Sequence, residues 1–185
     1  MDRAKLDLPD FYTILGAGNE WSDPEFTDIE AIYWSDAGET NETGGNPNGS
    51  WARAISFDNA CLLGNTGPGA DENDIEQGDL GDCWLLSAAS SLAYLDDRAS
   101  KLFVNDNNEL PSSGIHAFNL YSLGVPATVV IDDTLPLDNN GGLVFANQGA
   151  DGSMWGALLE KAFAKYWGNY SHIVGGQSSA AIMTM

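Results

Sequence analysis

The sequence predicts an α+β domain, and three observations carry that expectation. An apolar run from Trp84 to Leu95 follows a glycine-rich turn and reads as a helix. Two runs rich in β-formers, 115–121 and 125–131, are separated by Leu123-Gly124. A third run, 154–167, repeats Trp155, Leu158, Leu159, Ala162, Phe163 and Tyr166 at helical spacing. Helices beside a small antiparallel sheet make the class α+β. At 185 residues the chain fits one domain, and 43% apolar residues with six Trp supply a core. A domain of this size buries roughly 70% of the surface its unfolded chain exposes.

The elements follow in chain order. Residues 1–34 mix aromatics with acids and end in Ile32-Tyr33-Trp34, a docking segment. Residues 35–50 are rich in Gly, Asn, Glu and Thr, so they form a loop or insertion. Residues 64–74 hold three glycines and Pro68 and end in acids, which suits an ordered or metal-binding loop. Asp82 is a good N-cap for a helix from Cys83 to about Asp96. That helix is apolar around most of its circumference, so it is buried nearly all round. Thr128 to Ile131 are β-formers, and Asp132-Asp133 stops the run. A short strand is expected at Leu143–Ala146. The helix over 154–167 should turn Glu160 and Lys161 outward. The tail after Gly175-Gly176 is weakly patterned.

Charge narrows the partners. There are 27 acidic and 7 basic residues, for a net charge of −20. Such a chain repels phosphate backbones and anionic lipid, so no nucleic acid is expected as a partner. No run is long enough to insert stably in a membrane. An acidic surface does suit hard cations such as calcium. Two cysteines, Cys61 and Cys83, are too few for a disulfide framework, and no signal segment follows Met1. Reduced thiols and a cytoplasmic location are the expectation.

The nine residues Gln77-Gly78-Asp79-Leu80-Gly81-Asp82-Cys83-Trp84-Leu85 carry the chemistry. A tight turn exposes a thiol, and the first turn of a buried helix holds it still. A free cysteine has a pKa near 8.5, so only about 3% is thiolate at neutral pH. A helix N-terminus contributes about 0.3–1 kcal/mol, less than one pKa unit. Asp79 and Asp82 push the other way. A nucleophile here therefore needs a histidine within hydrogen-bond reach. His116, in Ile115-His116-Ala117-Phe118, reads as a packed sheet residue. His172, after the second helix, reads as a surface or helix-end residue, with a dyad to Cys83 as a weaker alternative. Gln77 is placed to donate its side-chain amide to an oxyanion, together with the backbone N–H of Cys83. Trp84 would wall the site and pack the helix.

The pattern Gln77-Gly78-x-x-Gly81-Asp82-Cys83-Trp84 resembles the active-site segment of calpain-type cysteine proteases, a papain-like branch. Asp23-Pro24-Glu25-Phe26 resembles the family's leading segment. The stretch Val129 to Pro136 looks like its sheet and turn, and Trp155 to Lys165 looks like its second long helix. Gly175-Gly176 matches a further glycine pair. The resemblance implies an N-terminal extension over 1–19 and, over 20–185, the first subdomain of a papain-like protease core. That half carries the cysteine and the oxyanion glutamine. The histidine and asparagine belong to a second subdomain, which the resemblance makes a required partner, and no residue here matches either.

The implied activity is a calcium-dependent type of endopeptidase acting on protein substrates through a thioester. The chain alone is expected to be inactive. A non-catalytic scaffold or calcium-sensing module is the alternative. The family's calcium site would draw on the carbonyls of Gly67 and Gly69 and the carboxylate of Asp74. Its glutamate position holds Ser153 here, and nearby Asp151 is a substitute carboxylate.

Overall fold

A computed structural model describes residues 11–185 apart from 46, 48, 66–68, 96 and 105–107. The element order is α1 (Phe11–Ala17), α2 (Asp28–Ile32), β1 (Trp51–Arg53), α3 (Cys83–Ala93), β2 (Ile115–Ser122), β3 (Val125–Asp132), β4 (Thr134–Pro136), α4 (Trp155–Trp167) and α5 (Ser178–Thr184). Short 3-10 turns lie between them. The class is α+β, as expected.

Strands β2 and β3 form one antiparallel hairpin, with His116 opposite Ile131 and Ser122 opposite Val125. Its two-residue turn places Leu123 at φ 51° and Gly124 at φ 82°. Both positions need the left-handed region that such hairpins use. Strands β1 and β4 make a second antiparallel pair, with Trp51 opposite Pro136. This pair has no counterpart in the sequence reading, because three-residue strands leave no alternation to read.

The core gathers α3, α4, the hairpin and α5 around Leu85, Phe118, Ile131, Trp155, Leu158 and Phe163, all fully buried. A smaller cluster joins Phe11 of α1 to Ile115, Ala117 and Val130 of the hairpin. The segment before residue 20 thus contributes to packing.

Three expectations need correction. The first concerns Glu160 and Lys161, which are 1% and 0% exposed rather than outward-facing. Helix α4 is covered on every side, so its two charges are buried with it and find partners there. Lys161 Nζ donates to Asp132 Oδ1 at 2.6 Å and to the Thr134 carbonyl at 2.6 Å. Both oxygens of Glu160 accept from the Ala146 N–H, at 3.2 and 3.0 Å.

The second concerns Leu143–Ala146, which forms no strand, although its Val144 N–H donates to the Pro136 carbonyl at the end of β4 at 3.2 Å. It is a clamp: the Val144 carbonyl accepts from the Asp79 N–H at 3.0 Å, and the Asn147 N–H donates to Glu76 at 2.7 Å. Third, helix α3 stops at Ala93, short of the expected end at Asp96, which lies outside the described residues. The tail, expected to be weakly patterned, forms α5 and packs on α3.

Buried ion pairs tie the sheets to the helices. Asp132 also accepts from the Asp23 N–H at 2.6 Å through Oδ2. Lys165 Nζ pairs with Asp23 and donates to the Val130 carbonyl at 2.9 Å. Arg53 of β1 pairs with Asp133. The Asp132-Asp133 step is thus a junction rather than only a strand end.

Candidate active site

The loop 76–82 delivers Cys83 to the start of α3. Gly78 lies so close to the backbone of Phe145 that a Cβ there would sit 1.9 Å from the Phe145 carbonyl oxygen. Only a glycine allows the clamp by residues 144–147. The thiol of Cys83 is exposed, while the next three residues are buried. Side chains after the cysteine therefore fix the helix, and its first residue faces solvent. The first amides of an α-helix have no intrahelical acceptor, so the N–H of Cys83 belongs to a free donor set.

Gln77 lies on this same loop, and its Nε2 donates to the Leu80 carbonyl at 2.8 Å. A carboxamide nitrogen carries two hydrogens, so one N–H remains after that bond. The bond orients the amide from within the loop.

Trp84 ties the helix start to the tail. Its Nε1 donates to the Ile173 carbonyl at 2.9 Å. Gly176 lies against the indole, where a Cβ would come within 2.4 Å of the ring. The Gly175 N–H donates to the Gly81 carbonyl at 2.8 Å. The glycine pair and the tryptophan are thus two sides of one contact.

Asp82 occupies the N-cap position but makes no capping bond with its side chain. The carboxyl turns inward instead and is fully buried. Neither of its oxygens meets an N–H or an alcohol donor. Its neighbour is Glu160 of α4, and burial raises Asp82 from 3.8 to about 6. Burial first, and then the charge of Asp82, push Glu160 well above the carboxyl range. Two buried carboxyls side by side cannot both ionise freely, and both are pushed upward. This pair, one member of which immediately precedes Cys83, is not foreseen from the sequence. It joins positions 82 and 160, far apart in the chain, so no local pattern carries it.

Neither histidine is hydrogen-bonded to Cys83 in this structure. His116 is fully buried in β2, as expected, and burial first, then Arg53 and Lys161, push it down to about 3. His172 uses both ring nitrogens elsewhere: Nδ1 lies 3.1 Å from the Trp167 carbonyl oxygen and Nε2 3.0 Å from Glu39 Oε1. Glu39 is lowered first by that bond to His172.

Of the expected calcium ligands, Gly67 lies outside the described residues. Gly69 has φ 133°, and nothing stands where its Cβ would be. Asp74 is buried, and its Oδ2 accepts from the Asp71 N–H at 2.7 Å and from Trp155 Nε1 at 2.9 Å. Burial is the largest cause raising its carboxyl, and the charges of Asp151 and Asp71 add to it. Asp151 bonds the amides of Asn65 and Ser153, at 2.9 and 3.1 Å. Ser153 is buried, and its hydroxyl has no partner. Among the described residues no three His, Cys, Asp or Glu side chains gather as a cation cage. The described side chains do not by themselves fit calcium, which takes six to eight oxygens.

Comparison with known proteins agrees with the motif. The model of the calpain family of cysteine proteases matches residues 21–185. The chain belongs to the calpain family of cysteine proteases. It is 40% identical over 113 residues to calpain clp-1 of Caenorhabditis elegans, covering 60% of this chain and 14% of that protein. It is 41% identical over 111 residues to calpain-8 of Rattus norvegicus, covering 60% of this chain and 16% of that one. The calpain-1 catalytic subunit of Homo sapiens is 41% identical over 112 residues, with 60% and 16% covered. The chain thus spans about a sixth of the length of these curated relatives. Among the described residues no helix is long and apolar enough to cross a membrane.

Proposed function

We propose that this chain supplies the nucleophile half of a calpain-type endopeptidase site that cleaves protein substrates. The observation that carries the reading is the exposed thiol of Cys83 at the start of a helix whose next three residues are buried. As a thiolate it would attack the scissile carbonyl carbon. The carbonyl oxygen takes the negative charge beside the free N–H of Gln77 and the backbone N–H of Cys83. The amine leaves with a proton from a general acid, and a thioester remains. Water then hydrolyses that thioester and regenerates the thiol.

The acid and base are assigned to a partner subdomain carrying histidine and asparagine. Support comes from His116, which is sealed in the core, and from His172, whose ring nitrogens lie against Trp167 and Glu39. Calcium dependence enters as a weak site at most, since Asp74 brings one carboxylate where a cage needs several. Free Cys61 and Cys83 support a cytoplasmic location.

The test is casein hydrolysis by the 185-residue chain, alone and as the full product of its reading frame, each with Cys83→Ala beside it. Activity is expected only where a histidine-bearing subdomain is present, and only with Cys83. Strong cleavage by the 185-residue chain, abolished by Cys83→Ala, would refute the half-site. A full product that carries the histidine subdomain and yet cleaves nothing favours the scaffold reading.

A further inference from the structure

The chain is strongly acidic, which makes the placement of its cations informative. Of its seven Lys and Arg residues, Arg3 and Lys5 lie outside the described residues. Three of the remaining five are spent on buried carboxylates: Arg53 on Asp133, Lys161 on Asp132 and Lys165 on Asp23. The other two, Arg98 and Lys101, are exposed and line one groove of about 400 Å³. Apolar groups of Leu92, Leu102, Leu120 and Met185 also line it. Its volume falls within the roughly 300–1,000 Å³ of ligand clefts.

The groove is remote from the thiol chemistry. Leu92 lies nine residues after Cys83 on α3, about 14 Å along the axis at 1.5 Å per residue. The opposite end of the same helix carries the cysteine. Tyr121 on β2 is exposed and forms part of the lining.

We propose that this groove docks a peptide segment of another protein that carries acidic side chains flanking an apolar one. The carboxylates would meet Arg98 and Lys101, and the apolar side chain would cover half-buried Leu92 and exposed Tyr121. Charge complementarity argues for this occupant. On a surface of net charge −20 an acidic segment is repelled almost everywhere else. Among the described residues no carboxylate pairs with either cation, so the groove gives such a segment a place to settle, and rim charges of this kind choose partners more than they add affinity.

The experiment uses the 185-residue chain with Cys83→Ala, so that thiol chemistry plays no part. It is immobilised and panned against a random dodecamer display library. Recovered sequences are expected to place two or more Asp or Glu residues around a branched aliphatic or aromatic one. A fluorescein-labelled peptide of that consensus is then titrated by anisotropy. The variant Arg98→Glu/Lys101→Glu should weaken its binding by about tenfold or more. Added salt should weaken it severalfold, since exposed charges are screened. Circular dichroism is expected to be unchanged in that variant in about 200 mM salt, because both side chains are exposed and the added negative charge is screened. Absence of enrichment over bare support, enriched sequences without acids, or undiminished affinity for the charge-reversed chain would each overturn the proposal. Self-association in sedimentation that the same variant abolishes would give the groove to a second copy and overturn it as well.

Discussion

Asp82 shows how far one side chain departs from its local role. A capping residue normally points its oxygen at the next amides, whereas this carboxyl is buried against Glu160. Burial raises it from 3.8 to about 6. A carboxyl raised in the folded state holds its proton more tightly folded than unfolded. The native state therefore binds more protons between about pH 4 and 6, and stability falls as pH rises through that window. Asp82→Asn should flatten the slope in urea unfolding followed from pH 4 to 7, and stabilise the chain above pH 7. An unchanged slope would show that Asp82 is not raised in the folded state. Gln77 sets a second expectation at this scale. In the full reading-frame product, Gln77→Ala should lower kcat by about 10²–10³ and leave KM nearly unchanged. A change confined to KM would remove Gln77 from the oxyanion role.

At the scale of elements, the hairpin turn and helix α4 give opposite expectations. Leu123 is fully exposed at φ 51°, a left-handed backbone that a bulky residue occupies at a cost of about 1–3 kcal/mol. Leu123→Asn, ahead of Gly124, creates the Asn-Gly pair that such turns favour. Thermal unfolding should show a gain of about 1 kcal/mol, and a loss would mean that the leucine packs on something. Helix α4 has no such slack. Lys161→Met leaves Asp132 buried without its cation, and removing one partner of a buried pair costs about 3–5 kcal/mol. Denaturant midpoints would check this, and a near-neutral result would place water beside Asp132.

The elements also show what a linear reading sees. The helix at Cys83 and both hairpin strands were legible within a residue or two at most ends, because period and turn chemistry are local. The partners of Lys161 were not, because Asp132 lies 29 positions earlier and only packing joins them. The pairing of β1 with β4 and the clamp at 144–147 fail to show for the same reason. Cys83 and Gln77 stood out through their glycine-rich turn. What α4 hides behind that turn, Glu160 against Asp82, needed the fold.

The whole molecule is governed by its charge. With 27 acids against 7 bases it repels itself when folded, and compactness costs more at low ionic strength. Raising salt from about 10 to 200 mM shortens the screening length from about 30 Å to under 10 Å. The melting temperature should rise by several degrees over that range. A melting temperature that falls would mean that the buried ion pairs are more open to solvent than their burial shows.

The contact among Trp84, Ile173 and Gly176 has a mechanical consequence. One indole is bonded to the backbone at residue 173 and covered by the backbone at residue 176, and it sits one position beyond the sulfur. Past Gly176 the chain runs directly into α5, which packs on α3 as well. The stretch from residue 173 to α5 therefore braces the helix that starts at the cysteine from two sides.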